Sequence, residues 1–286
     1  MNNKIYTAHR GLTLSSPQVE NTLAAIRAAI DNPTVGAIEI DVQQTKDGIF
    51  VLSNYQLLEN VVRLADPSRM RIADYTYEEL NRLMFTPNIK EIRQIISTNG
   101  ADYGEHAAQV VRWCNSVVNM QSRVTRLDDV LKLDRKGKPL FIEIKTGYKP
   151  EQKSEMNEYA RSLVRVVGTS DNIFFIGRDI NTLEKLKEEK QQVPIMPVIG
   201  WTGIESATHP VDGISAAWDA LDKQVPGTNQ TLGEMVLNKG MGLAVWNILL
   251  QREYDGITPE VLNEVQEIFL TGNYPELIEQ YSKKRL

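Results

Sequence analysis

Eight short apolar runs recur along the chain, and most are rich in β-branched or aromatic residues. Near-continuous apolar runs of this length are typical of parallel strands that are covered by helices on both faces. Amphipathic helical patterns lie between the runs, so strand and helix alternate through most of the sequence. This alternation predicts a (β/α)8 barrel, with a doubly wound open sheet as the alternative. The predicted strands are 4–8, 37–42, 140–145, 173–177, 195–199, 213–218, 243–246 and 268–272.

Two segments interrupt the alternation. Residues 48–53 predict an additional short strand directly after the second barrel strand. Residues 86–124 predict a mostly helical insertion between the second and third barrel strands. A single (β/α)8 barrel usually takes about 250 residues, which is close to the length of this chain. We therefore expect one domain over residues 1–286, with the insertion inside it.

Composition narrows the class of function. A net charge of −5 argues against nucleic-acid binding, which usually requires a basic surface. The single cysteine, Cys114, excludes an internal disulfide and a cysteine-based zinc cage. The apolar runs are much shorter than the ~20 residues that span a bilayer, so we expect no stable membrane insertion. If Met1 is the natural start, there is no room for a signal peptide and the protein is expected in the cytoplasm. The oligomeric state stays open.

Acidic residues cluster at the ends of two predicted strands. Glu39 and Asp41 lie two residues apart, so they project from the same face of a strand, as do Glu143 and Lys145. In a barrel of this kind the carboxyl ends of the strands carry the functional groups. Three carboxylates, from Glu39, Asp41 and Glu143, suit a hard divalent cation such as Mg²⁺ or Ca²⁺. The alternative is a salt-bridge network in which Lys145 and Arg10 neutralise the acids and no metal binds.

The first predicted strand ends in His9-Arg10-Gly11. This places a proton carrier beside a fixed cation, with a glycine that allows close backbone approach. Arg10 and Lys145 together can hold an anionic group such as a phosphate. A histidine at a strand end is often only structural, but its position beside a guanidinium and an acid cluster favours a function.

Taken together, the motifs that carry these residues resemble the glycerophosphodiester phosphodiesterase family. They occur in the family's order and cover most of the chain outside residues 86–124. The combination of HRG, ENT, ExD and a later ExK is far more specific than any one of these motifs. The segments that carry the resemblance are AHRG, ENTLAAIRAAI, GAIEIDVQQTKDGIFVLS, YTYEELNRL, TRLDDVLKL, LFIEIK, GLAVW and TGNYPEL.

The resemblance implies a TIM barrel that hydrolyses glycerophosphodiesters, such as deacylated phospholipids, to an alcohol and glycerol 3-phosphate. It also implies a divalent metal ion, bound by the carboxylates at Glu39, Asp41 and Glu143. The implied partner is therefore a small phosphodiester rather than a macromolecule.

The resemblance implies roles for four further residues. Arg10 and Lys145 match residues that contact the phosphate in the family. Glu20, in the ENT motif, matches a site position that supports the metal or His9. Trp246 matches an aromatic residue near the alcohol side of the substrate.

One position departs from the family pattern. Active members carry a His-Asp pair after the VLS segment, and that histidine works with the histidine of HRG as general acid and base. This chain has Asn54-Tyr55 there, and an amide has no proton to give near neutral pH. Loss of one proton-transfer partner costs about 10²- to 10⁴-fold in rate. We therefore expect a phosphodiesterase with altered acid catalysis at His9 and Asn54. The alternative is an impaired homologue that binds glycerophosphodiesters, or a related anion, as a carrier or sensor.

Other residues are candidates to replace the missing acid. His209 follows the fifth predicted barrel strand, and His106 lies in the insertion; each has the alternative of a solvated loop histidine. Tyr55 is a further candidate. Arg178 stands where the family usually has a Ser-Phe pair, and it either adds a cation at the mouth of the barrel or forms an exposed ion pair.

Overall fold

The computed structural model describes residues 4–54, 71–145, 152–200 and 202–284. Within these ranges the backbone forms one sheet of nine strands, of which eight are parallel and close into a barrel. The strands are β1 (Lys4–Ala8), β2 (Ala37–Gln44), β3 (Phe50–Leu52), β4 (Leu140–Ile144), β5 (Ile173–Gly177), β6 (Ile195–Ile199), β7 (Gly213–Ala217), β8 (Gly242–Trp246) and β9 (Ile268–Gly272).

The barrel closes where β1 pairs with both β2 and β9. Going round from β9, the order is β9, β8, β7, β6, β5, β4, β2 and then β1. This closure confirms the predicted (β/α)8 barrel and excludes the open sheet. The predicted additional strand is β3, which pairs antiparallel with the end of β2. Because the last three residues of β2 pair with β3, the strand predicted over 37–42 continues to Gln44.

Helices connect the barrel strands in the described part of the chain. Two of them, together with a 3-10 helix at Ala101–His106, lie within the range 86–124 that was predicted to be mostly helical. None of the helices in these ranges is long and apolar enough to cross a bilayer. The helices are α1 (Leu23–Asp31), α2 (Tyr77–Asn81), α3 (Ile89–Ser97), α4 (Ala107–Val117), α5 (Leu127–Leu131), α6 (Lys153–Val167), α7 (Ile180–Glu189), α8 (Leu232–Lys239), α9 (Gln251–Asp255), α10 (Pro259–Glu264) and α11 (Pro275–Lys284).

The helix after the first strand has a clear start and end. The Thr22 side chain accepts a hydrogen bond from the N–H of Ala25 over 3.1 Å and so caps the start of α1. At its other end, Nζ of Lys138 donates to the carbonyl oxygens of Ala29, Ile30 and Asn32. A lysine ammonium also favours the negative end of the helix dipole. These contacts fix α1 against the bottom of the barrel.

Aromatic side chains fill the barrel below its mouth. The ring of Phe141 stacks on that of Phe174 and meets that of Phe269 edge-on, with centroids 4.7 Å apart in both pairs. Since Phe141 and Glu143 are two residues apart on β4, they point to the same side, and Phe141 lies deeper in the barrel. The three rings therefore form an apolar layer below the charged residues of the mouth.

Candidate active site

A cavity of about 270 Å³ opens at the carboxyl ends of the barrel strands. Its two sides differ in chemistry. We call the side formed at β1, β2 and β4 the charged wall, and the side formed at β5, β6 and β8 the apolar wall. The charged wall consists of His9, Arg10, Glu39, Glu143 and Lys145, and the apolar wall of Ile176, Val198, Ala244 and Trp246.

The turn after β1 aims the backbone of Arg10 at the charged wall. His9–Gly11 form a 3-10 turn in which Arg10 has a φ of 56° and Gly11 a φ of 73°. A Cβ at Gly11 would lie 3.0 Å from backbone atoms of α1, so glycine suits both the conformation and the space. In this conformation the N–H of Arg10 donates to Oε2 of Glu39 over 3.0 Å.

Glu39, Asp41 and Glu143 come together at the mouth, as their spacing predicted. The register of β2 and β4 pairs Asp41 with Glu143, and one oxygen from each of the three carboxylates lies within 4.8 Å of the others. All three residues are buried. Oε1 of Glu39 has no hydrogen-bond partner among the described residues. A buried carboxylate oxygen without a partner is costly, so this group can hold a metal ion.

Two cations neutralise part of the cluster. Nζ of Lys145 lies 2.9 Å from Oδ1 of Asp41 and 2.6 Å from Oε1 of Glu143. Nε of Arg10 lies 3.2 Å from Oδ2 of Asp41, and Nη1 of Arg10 donates to Oε2 of Glu20 over 2.8 Å. The salt-bridge network that was the alternative to a metal site is therefore present.

Among the described residues, the positive charges of this salt-bridge network do not balance the negative charges of the carboxylates. Four carboxylates, counting Glu39, share two cations, so the fully ionised cluster would lack two positive charges, which is the charge of one divalent ion. Burial and the charges of Asp41 and Glu143 raise the pKa of Glu39 well above its ordinary value. Burial also acts to raise the pKa of Asp41, but Lys145 and Arg10 outweigh it and hold that pKa at about 2. Glu39 is thus the carboxylate that most needs a further cation.

Asn21 belongs to the site, although sequence reasoning assigned no role to this residue. Its Nδ2 donates to Oδ2 of Asp41 over 2.7 Å, and its Oδ1 accepts the N–H of Asp41 over 3.1 Å. Asn21 and Glu20 are neighbours in the ENT motif, and Glu20 contacts Arg10 from behind rather than lining the cavity. The motif therefore orients one carboxylate and one cation, and its place in the family pattern was the available signal.

A hydrogen bond on one ring nitrogen holds His9 at the mouth. Nδ1 lies 2.7 Å from Oδ1 of Asn273, the first residue after β9, and Nε2 lies 3.8 Å from Oε2 of Glu39. Burial lowers the pKa of His9 to about 3, and the positive charge of Arg10 acts in the same direction. In this arrangement the imidazole is neutral at physiological pH. Asn273 is a contact that sequence reasoning missed.

The remaining predicted residues also lie at the cavity. Asn54 is half-buried and lines it together with His9, whereas Tyr55 lies outside the described residues. Trp246 lines the opposite side, and the guanidinium carbon of Arg178 lies 5.9 Å from the centre of its ring. Arg178 is exposed and lines the cavity, so it adds a cation at the mouth.

The two other histidines lie elsewhere. Nδ1 of His209 lies 2.8 Å from Oε1 of Glu184 in α7. The ring of His106 lies 6.1 Å from that of Tyr281 in α11. Neither histidine lines the cavity, so the structure does not bring a replacement for the missing acid to Asn54 from these positions.

The fold and the cavity define a (β/α)8-barrel enzyme whose mouth combines a carboxylate cluster with cations that suit an anionic substrate. The chain belongs to the glycerophosphoryl diester phosphodiesterase family, whose model matches residues 9–264. This match confirms the resemblance seen in the motifs and identifies the chain as a phosphodiesterase-like enzyme. No curated protein matches the chain by sequence.

Solved structures with the same fold come from several bacteria. A protein from Silicibacter pomeroyi, described as a glycerophosphoryl diester phosphodiesterase, superposes with a TM-score of 0.72 at 16% identity, covering 99% of this chain and 94% of its own. A phosphodiesterase from Oleispira antarctica, in complex with the product sn-glycerol-3-phosphate, has a TM-score of 0.65 at 16% identity, covering 98% and 96%. A glycerophosphodiester phosphodiesterase from Thermotoga maritima has a TM-score of 0.63 at 20% identity, covering 98% and 99%. At these identities the likeness establishes the fold.

Proposed function

We propose that this chain is a metal-dependent phosphodiesterase that hydrolyses glycerophosphodiesters to an alcohol and glycerol 3-phosphate. The observation that carries the proposal is a carboxylate cluster beside Arg10 and Lys145 on one wall of a cavity, which when fully ionised is short of two positive charges among the described residues. Family membership supports the reaction, and the bound product of the Oleispira antarctica neighbour supports the identity of the phosphate-bearing product.

Glu39, Asp41 and Glu143 would hold the ion. Carboxylate oxygens suit Mg²⁺ or Ca²⁺, and Oε1 of Glu39, which has no partner in the described part of the chain, supports the fit. When bound, such an ion supplies positive charge that stabilises the negative charge developing on phosphoryl oxygens.

In this proposal Arg10 and Lys145 bind and orient the phosphate. Both line the cavity, and each is held by an ion pair with a carboxylate, Arg10 by Glu20 and Lys145 by Glu143. A guanidinium can donate to two phosphate oxygens at once, and an ammonium adds a point charge. Trp246 on the apolar wall would contact the alcohol side of the substrate.

His9 would move the proton. As the new P–O bond forms, the attacking oxygen loses a proton, which Nε2 of a neutral imidazole can accept. As the second P–O bond breaks, the leaving alkoxide needs a proton, and Asn54 cannot supply one. The leaving oxygen must then take its proton from water, so turnover is expected to be faster for aryl leaving groups than for alkyl ones.

Asn54 also favours a second candidate function. If the missing acid reduces turnover below a useful rate, the same cavity still has the cations that hold a phosphodiester. The chain would then bind glycerophosphodiesters, or a related anion, as a carrier or sensor. We place the enzyme first because the chain has the residues expected to bind the metal and the phosphate, together with His9, and lacks only the second histidine.

Residues 1–286 would act as one domain, with 86–124 as an insertion in it. The reaction would then be a step in phospholipid headgroup breakdown in the cytoplasm. The substrate is a small molecule, and the net charge of −5 gives no support for a nucleic-acid partner.

The test is an assay of the purified protein with Mg²⁺ or Ca²⁺ on glycerophosphocholine and on an aryl phosphodiester. We expect turnover of both, faster on the aryl ester, and loss of both with a chelator. Glu39→Gln, which keeps the side-chain shape but removes the charge, should abolish turnover. Tight binding of glycerophosphocholine without turnover of either ester would instead support the carrier or sensor.

A further inference from the structure

The Nδ1 nitrogen of His9 has a partner whose orientation is itself fixed. Asn273 presents Oδ1 to Nδ1 of His9 at 2.7 Å, while its Nδ2 donates to Oε1 of Glu91 at 3.5 Å, at the long end of the hydrogen-bonding range. A carboxylate only accepts hydrogen bonds, so it takes the NH₂ side of the amide. The oxygen side then remains for His9, and an amide oxygen requires a proton on Nδ1.

Glu91 is held in place by its own helix. It lies in the first turn of α3, inside the 86–124 insertion, and is half-buried. Asn88 caps that helix, accepting the N–H of Glu91 with Oδ1 and donating from Nδ2 to Oε2 of Glu91 over 2.9 Å. Since Oε2 is committed to Asn88, Oε1 is left to face Asn273.

The insertion also fixes the backbone on either side of the site. The ring of Tyr274, the residue after Asn273, packs edge-on against Trp113 and Tyr103, with centroids 5.3 Å and 5.9 Å apart. Nε1 of Trp113 donates to the carbonyl oxygen of Thr13, in the loop that follows β1, over 2.8 Å. The insertion thus contacts both the loop that carries Asn273 and the loop after His9.

We propose that Asn273, oriented by Glu91 of the insertion, is a positioning residue that holds neutral His9 with its proton on Nδ1 and a free lone pair on Nε2. The relay runs from a carboxylate through an amide to the imidazole, with each member dictating the hydrogen-bond polarity of the next. It makes His9 a proton acceptor toward the cavity in the resting protein. The tautomer does not depend on the proposed function, whereas its effect on rate rests on it.

The tautomer can be read without substrate, by two- and three-bond ¹H–¹⁵N correlation NMR of the ¹⁵N-labelled protein at about pH 8, well above the ordinary pKa of a carboxyl group. The chain has three histidines, so His9→Gln assigns the resonance by its disappearance. His209, whose Nδ1 contacts Glu184, is an internal control that every variant should leave unchanged. We expect the His9 proton on Nδ1.

Three variants test the relay. Asn273→Ala should leave His9 as a mixture of tautomers and lower kcat by about 10- to 100-fold, the usual cost of removing the partner that orients a histidine. In Glu91→Gln the new amide can donate as well as accept a hydrogen bond, so the amide of Asn273 can adopt the flipped orientation. This variant should therefore also show a mixture of the two His9 tautomers. In the double variant Glu91→Gln with Asn273→Asp, the new glutamine donates and the new carboxylate accepts from Nδ1. This pair should restore both the tautomer and most of the rate.

Two results would overturn the proposal. One is a wild-type His9 that carries its proton on Nε2. The other is a His9 signal that stays unchanged in both Asn273→Ala and Glu91→Gln. Should Asn273→Ala fail to fold, Glu91→Gln and the double variant still decide the question. If the wild-type protein shows the expected tautomer but no turnover, this result contradicts the proposed phosphodiesterase function and not the relay.

Discussion

The two walls of the cavity are built on opposite physical principles. On the apolar wall, side chains such as Ile176 and Val198 are buried among other apolar groups, and their burial stabilises the barrel. On the charged wall, Glu39 is equally buried but has one oxygen without a partner among the described residues. Burial there opposes folding, since an unpartnered polar atom loses its water and gains nothing in return. The difference separates residues kept for packing from residues kept for chemistry.

We expect the largest effect at Asn54, where the site lacks the second histidine of the family pattern. Asn54→His restores an imidazole opposite His9 in the pattern of the active family. We expect turnover of glycerophosphocholine to rise by about 10²- to 10⁴-fold, since this is the usual contribution of a general acid or base. The aryl ester should gain much less because its leaving group needs little protonation. An equal gain on both esters, measured as kcat, would contradict this role of Asn54.

Lys145→Met should lower kcat by about 10²- to 10³-fold. The variant keeps much of the length of the side chain but removes a cation aimed at the developing charge, and one such contact typically contributes this factor. The matched control on the apolar wall is Ile176→Val, which should change kcat by less than about threefold because it removes one methylene from a packing contact. Similar losses in the two variants would erase the distinction between the walls.

The free energy of unfolding should rise when a charge is removed from the charged wall and fall when a side chain of the apolar wall is shortened. In chelator, Glu39→Gln is expected to raise the free energy of unfolding by about 1–3 kcal/mol, because it removes the charge from a buried oxygen for which the described residues supply no partner. By contrast, Ile176→Ala should lower it by about 2 kcal/mol or more through the space it leaves in the core. Thermal unfolding followed by circular dichroism measures both. A Glu39→Gln protein that melts earlier than wild type in chelator would show that the cluster is balanced without an ion.

Arg178 should give the smallest effect. Its guanidinium is exposed at the rim over Trp246, where a cation repels a positively charged headgroup only through water. Arg178→Gln is therefore expected to raise kcat/KM for glycerophosphocholine relative to glycerophosphoserine by about two- to fivefold. Arg178→Lys, which keeps the charge, should leave the ratio unchanged. An unchanged ratio in Arg178→Gln would place Arg178 away from the headgroup, and a lower ratio would contradict the repulsion.

Much of the fold and part of the site followed from the sequence. The strands were predictable because apolar runs that alternate with helical patterns occur in few architectures, and the two-residue period placed Glu39 beside Asp41. The same period could not define the apolar wall, since both faces of a covered parallel strand are apolar and Ile176 does not differ in pattern from Phe175. The residues of the carboxylate cluster could be identified from the sequence because they are charged residues within otherwise apolar runs.

The relay to His9 was not predictable, for a different reason. Asn273 is a common type of loop residue, and Glu91 lies in an amphipathic helix whose polar residues usually face water. Their contact depends on how the insertion docks against the last barrel strand, and the sequence pattern has no information about that docking. The resemblance did place Asn273 in the motif TGNYPEL, but it assigned no partner to the residue.

The hydrogen bond between His9 and Asn273 joins positions 264 residues apart, across the seam where the first strand meets the last. Contacts of such sequence separation form late in folding, because a long loop must close before they stabilise anything. During synthesis on the ribosome, His9 is made 264 residues before Asn273, so its ring cannot be oriented by this contact until Asn273 has been made. Catalytic competence would then report the final closure of the barrel, and an unfinished chain would hold the ingredients of the site without its acid–base geometry.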